Sequence, residues 1–205
     1  MKNSNQSVSR GILCVLGAIS MLTMVSCGSM KSGADGTSVS LDKNGTVQSN
    51  IRESFEESYY DEDELLQMIL TQAASYNRKA GSGSIAVEKV EVKDGVAEVQ
   101  MTYAKAKDYA SFNKMVFFVG NAKEADQEGY ELNVVLSGVK NPQETVGKGD
   151  ILAMEDEMLL ITDAADTIKL DGKALYVSEN VTVSGNGKTV CRPLDSEGLA
   201  YIIFK

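Results

Sequence analysis

Fifteen residues near the N-terminus, Gly11–Val25 (GILCVLGAISMLTMV), are apolar apart from Ser20 and Thr23, and they stop one serine short of Cys27. Lys2 and Arg10 precede them, with no acidic residue. A basic stretch followed by an apolar one of this length has the pattern of an export signal. The run is also shorter than the roughly 20 residues that a spanning helix needs. A segment cut away on export adds nothing to a core, so the fold must come from the residues after it. The same reading places that fold outside the cytoplasm.

The residues at the end of the run say how it is cut. Met24-Val25-Ser26-Cys27 resembles the bacterial lipobox, in which apolar residues and a small residue precede a cysteine. The resemblance covers residues 1–27, with Met24 where leucine is more usual. It implies a lipoprotein signal peptide over 1–26 and diacylglyceryl and acyl (palmitate-type) modification of Cys27, the new N-terminus. Each buried methylene of such chains contributes about 0.8 kcal/mol, so two or more chains hold a protein firmly at a bilayer. Residues 27–37 then read as the lipidated cysteine and a Gly/Ser-rich tether, and 38–205 as the globular part, with a possible sub-boundary near 139–149. In general style the mature part resembles uncharacterised lipoproteins of Gram-positive anaerobes, a likeness that rests on no motif and implies no activity.

Charge and composition narrow the chemistry. The chain carries 20 basic and 29 acidic residues, a formal charge of −9. All the acids follow Cys27, so losing Lys2 and Arg10 leaves 18 against 29, or −11. A surface this acidic repels phosphate backbones, which argues against nucleic acid as a partner. It argues equally against attachment to anionic lipid by charge. The chain contains no histidine. That excludes Ser-His-Asp and Cys-His catalysis and His-containing zinc sites. Of the three cysteines, Cys14 leaves with the signal and Cys27 is acylated, so Cys191 remains alone and no intrachain disulfide forms.

The clearest folded element is the helix expected over 62–79. Asp61 is the N-cap, Glu64 stands three residues on, and Tyr60 and Leu65 occupy the staple positions. Leu65, Ile69, Ala73 and Tyr76 recur at helical spacing with Leu66 and Leu70 widening the stripe, Arg78 and Lys79 suit the C-terminal dipole, and Gly81 the C-cap. Residues 38–55 read as a hairpin turning at DKNG, and 85–103 as another turning at KDG. A parity change between Val87 and Val90 predicts a bulge or a twist at Glu88-Lys89. KDYASFNKM and NAKEADQEG read as short helices, and VFFVG, YELNVVLSG, ILAM, EMLLITD, DTIKL, ALYVS, VTVS, TVCR and GLAYIIFK as strands. The expected class is α+β: a mainly antiparallel sheet with one long helix, one or two short helices and a β-rich C-terminal part.

No residue stands out as catalytic, cofactor-binding or metal-ligating. DEDE at 61–64 lacks calcium-loop spacing and suits a helix start. GSGS (81–84), GKGD (147–150) and SGNGK (184–188) match no phosphate-binding pattern and read as turns. Cys191 reads as a small buried hydrophobe. Tyr59, Tyr60, Tyr103, Tyr109, Phe112, Phe117 and Phe118 are at mostly core-facing positions, with Tyr59 the one expected to be exposed. The function these features favour is a non-enzymatic binding domain on the extracytoplasmic face of the cell membrane, held by lipid, with an envelope protein or glycan as partner. A carboxylate-dependent, glycosidase-like hydrolase and a solute-binding component of a transporter are the alternatives.

Overall fold

The computed structural model describes residues 36–205. Cys27, the signal and most of the tether lie outside the described residues. In chain order the elements are β1 (Gly36–Leu41), β2 (Val47–Ser54), α1 (Glu62–Ala80), β3 (Ile85–Lys93), β4 (Val96–Tyr103), α2 (Ala106–Asn113), β5 (Phe117–Gly120), α3 (Ala122–Gln127), β6 (Leu136–Gly138) and β7 (Thr145–Val146). They continue with α4 (Lys148–Ala153), β8 (Met158–Thr162), β9 (Thr167–Leu170), β10 (Ala174–Val177), β11 (Thr182–Ser184), β12 (Thr189–Cys191) and β13 (Ala200–Phe204).

Local chemistry accounts for the N-terminal half. At the first turn the Asp42 carboxylate accepts the amides of Asn44 and Thr46, and Gly45 supplies the positive φ (81°). At the second, Asp94 and Gly95 both have positive φ (52° and 73°), the two-residue turn that matches strand twist. The strands it joins slip register between Val87 and Lys89, so Glu88 is the bulge. Asp61 caps α1 by accepting the Glu64 amide at 3.0 Å, and the helix runs 19 residues to Gly81. Leu65, Ile69 and Ala73 form its buried stripe.

The strands assemble into two sheets, ordered β11-β12-β9-β1-β2-β4-β3 and β5-β8-β13-β10-β6-β7. One face of the first sheet carries Val39, Leu41, Val47, Val99 and Met101, all buried. It is covered by α1 and by the second sheet, whose Leu160, Ile202 and Phe204 join the same core. The alternate residues of those second-sheet strands (Leu159, Ile161, Tyr201 and Ile203) point the other way. There they meet Ala125 of α3, Leu132 and Ile151 of α4 in a second core. The second sheet is therefore buried on both sides, and this explains why β8 and β13 are continuous apolar runs (MLLIT, AYIIF).

The expected fold class is corrected. The described residues are 38% strand and 25% helix, in two sheets with four helices, and no long helix organises them. α1 covers only the β3 flank of one sheet. The single-sheet expectation failed because pairing partners are not local: β9 joins the first sheet beside β1, in parallel, across more than a hundred residues. Two segments also differ. YELNVVLSG forms strand only at Leu136–Gly138, since Leu132 is drawn into the second core while the Glu131 carbonyl accepts the Tyr201 hydroxyl at 2.8 Å. ILAM belongs to α4, whose start is fixed by Asp150 accepting the Gly147 amide at 3.1 Å.

Beyond β12 the chain is tied by Arg192. Its guanidinium donates to the carbonyls of Asp163 (3.3 Å), Gly198 (3.0 Å) and Ser196. Arg192→Ala leaves these carbonyls without their donor, and charged hydrogen bonds contribute about 1.5–3 kcal/mol. Urea unfolding is expected to show a loss in that range, and a loss below about 0.5 kcal/mol contradicts the role of this clamp.

Candidate functional site

The opposite face of the first sheet has a different composition. Register places Thr189, Lys169, Ser40, Gln48 and Thr102 in one row across β12, β9, β1, β2 and β4. The next row holds Thr167, Ser38, Asn50 and Gln100. These side chains are exposed or half-buried. The strands are about 4.8 Å apart, so the first row extends roughly 19 Å. Neither row contains an acid among these nine positions, in a chain with 29 of them. Where charge resumes nearby it is locally compensated: Lys89 pairs with Glu91 (2.7 Å) and Glu98 (2.9 Å).

At the end of this face nearest the first turn lies a cavity of about 280 Å³, lined among others by Ser40, Asp42, Thr46, Gln48, Lys169 and Asp171. That is just below the roughly 300–1,000 Å³ typical of small-molecule sites. It offers hydroxyl, amide, ammonium and carboxylate groups. Asp42 and Asp171 are the two carboxylates there. A glycosidase acid needs desolvation to hold its proton. Asp42 is half-buried and its Oδ1 is taken by two turn amides, while Asp171 is exposed. The arrangement suits binding better than proton transfer.

No protein-family model matches the chain, and no curated protein or solved structure does. What the chain binds must therefore be argued from its own residues.

The other sequence candidates scatter over the molecule. Asp61 to Glu64 start α1, with Glu62 reaching across to accept the Val92 amide at 3.1 Å. Gly81 is the α1 C-cap, Gly147 precedes α4, and Gly185–Gly187 make a short 3-10 turn. Among the described residues no three carboxylates or thiols gather as a metal site. Cys191 is buried. Tyr103, Tyr109 and Phe117 form an edge-to-face series in the first core, with ring centroids 5.0 and 4.8 Å apart. Tyr59 is 73% exposed, against Tyr60, which in turn stacks on Phe55.

Sequence reasoning missed two groups. The outer face was invisible because its Ser, Thr, Asn and Gln residues come from five strands and become a surface only through register. The other is Asp166, on the β8–β9 connection, whose Oδ2 accepts the Tyr109 hydroxyl at 3.1 Å. Burial raises its carboxyl to about pH 6, against a smaller lowering by that hydrogen bond. Burial first, then the neighbouring Asp166 charge, raises the Tyr109 hydroxyl well above its usual value. Both groups face the first core, away from the outer face, and serve structure.

Proposed function

We propose that the chain is a lipid-anchored, extracytoplasmic binding domain, fixed to the cell membrane through Cys27 and engaging a component of the cell envelope without catalysis. The observation that carries the reading is the two polar rows without an acid, which end at a cavity that also holds Asp42 and Asp171, on an otherwise strongly acidic domain. Its position supports the same reading. β1 starts at Gly36, nine residues after Cys27, and runs toward the first turn. The cavity beside that turn is thus roughly 17 Å from where the tether enters, at about 3.3 Å per residue. A nine-residue tether spans at most about 30 Å. Such an anchor keeps the domain close to the membrane, and the length of β1 separates the cavity from the point where the tether enters.

The test is enrichment from the native envelope with the full chain as bait. An envelope component retained by the native protein, and lost when Gln48 and Lys169 are both replaced by alanine, is the expected result. Equal recovery with the double variant, or no component retained, contradicts the reading.

A further inference from the structure

We propose that Asn44, in the turn between β1 and β2, is a site of spontaneous modification: its side-chain amide cyclises onto the Gly45 nitrogen and hydrolyses to aspartate and isoaspartate. The site does not depend on what the domain binds. The reaction needs an asparagine followed by a residue whose nitrogen can reach the side-chain carbon, and glycine, with no Cβ, allows that approach most readily. The chain has two such pairs, Asn44-Gly45 and Asn186-Gly187. The nitrogen of the glycine attacks Cγ of the asparagine, the new N–Cγ bond closes a cyclic imide, and the Cγ–Nδ2 bond breaks. Nδ2 leaves as ammonia, taking up the proton that the glycine nitrogen loses. Water then adds to one of the two imide carbonyls, giving aspartate when one C–N bond opens and isoaspartate when the other does. Water is the co-reactant, and nothing is oxidised or reduced.

Both asparagines are exposed, so the surroundings of the glycine decide between them. Ring closure requires the asparagine ψ to rotate and the glycine amide to leave its acceptor. Gly45 is half-buried, and a Cβ there would meet nothing within 4 Å. Its amide is held by the Asp42 carbonyl at 3.1 Å, inside a short surface turn. Local hydrogen bonds open to water are the least costly to break. Gly187, in contrast, is buried. A Cβ there would lie 3.6 Å from Lys173 Cβ and 3.7 Å from the carbonyl oxygen of Ala174, at the start of β10. Lys188, the next residue, is pinned on both sides, donating to Gly185 at 3.2 Å and accepting from Leu170 of β9 at 2.8 Å. Asn186 is held in the left-handed region (φ 58°, ψ 40°) between these contacts. Rotation at Asn186 therefore disturbs the sheet, whereas rotation at Asn44 disturbs one turn.

Conversion at Asn44 reaches the cavity. The Asp42 carboxylate, which accepts the Asn44 and Thr46 amides at 2.8 and 2.9 Å, lines it together with Thr46. Aspartate at position 44 adds a negative charge beside Asp42, and isoaspartate also adds a methylene to the main chain inside the turn.

The experiment ages the full chain in detergent at mildly alkaline pH, where the glycine amide proton is lost faster, and in urea, which removes the fold. Tryptic peptides 44–52 and 174–188 report the two pairs separately by mass spectrometry. Isoaspartate is counted by enzymatic methylation of its carboxyl group with a labelled methyl donor. In the folded chain, conversion at Asn44 is expected to exceed that at Asn186 by on the order of tenfold, a ratio set by how readily each turn opens. In urea the two rates are expected to converge. Asn44→Gln, a change at an exposed position, is expected to remove most of the methyl label from the folded chain, and Asn186→Gln to leave it. Equal rates at the two sites in the folded chain, faster conversion at Asn186, or methyl label that survives Asn44→Gln overturns the proposal.

Discussion

Leu160→Ala is expected to lower the free energy of unfolding by about 2–5 kcal/mol. Leu160 is fully shielded, in β8 of the second sheet, and its side chain enters the core shared with Val39, Leu41 and Met101 of the first. Alanine there removes apolar contact with both layers and leaves a cavity that rigid strands on either side cannot close. The comparison is Leu70→Ala on α1, 42% exposed, which is expected to change stability by less than about 0.5 kcal/mol. Urea unfolding of both variants decides the matter. Similar small losses at the two positions contradict the packing of one sheet against the other, since a single sheet covered by a helix would leave Leu160 peripheral.

Asp166→Asn produces the second large effect, and its sign depends on pH. The folded carboxyl titrates at about 6, against an ordinary value near 3.8. Below about pH 4 it is protonated in both states and contributes no difference. Between pH 4 and 6 the folded protein holds a proton that the unfolded chain releases, so stability falls as pH rises. Above pH 6 the whole penalty of a desolvated carboxylate is present. A shift of this size corresponds to roughly 1–3 kcal/mol. Asparagine keeps an acceptor for the Tyr109 hydroxyl without the charge. The variant is therefore expected to match the native protein near pH 4 and to exceed it by roughly 1–3 kcal/mol at pH 7. Chemical unfolding at the two pH values checks this, and a difference that stays constant across the window contradicts the assignment of the penalty to Asp166.

These two residues also mark the limit of what could be read from the chain. Where structure follows from nearby residues, the sequence was sufficient. The Asp61 cap, the Leu65, Ile69 and Ala73 stripe of α1, the Asp94-Gly95 turn and the Glu88 bulge all depend on neighbours a few positions apart, whereas Leu70, expected to widen that stripe, is 42% exposed. Tyr59, expected to be exposed, is 73% exposed. The two-sheet arrangement was not legible, because it depends on β9 lying parallel to β1 and on β13 inserting between β8 and β10. An apolar run such as ILAM is equally compatible with strand and helix until the Asp150–Gly147 contact is known. The candidate site belongs wholly to this second kind of information. Ser40, Gln48, Thr102 and Lys169 carry no motif in sequence and become neighbours only in the sheet. Asp166 likewise is one acid among 29 until Tyr109 is folded against it.

The proposed attachment of this domain to a membrane through Cys27 has a direct test. Labelling producing cells with radioactive palmitate, then separating membrane from soluble fractions, tests it for the native chain and for Cys27→Ser. Labelled native protein in the membrane fraction is expected, with an unlabelled variant that is released or mislocalised. Membrane retention of Cys27→Ser with lipid label still attached would contradict it.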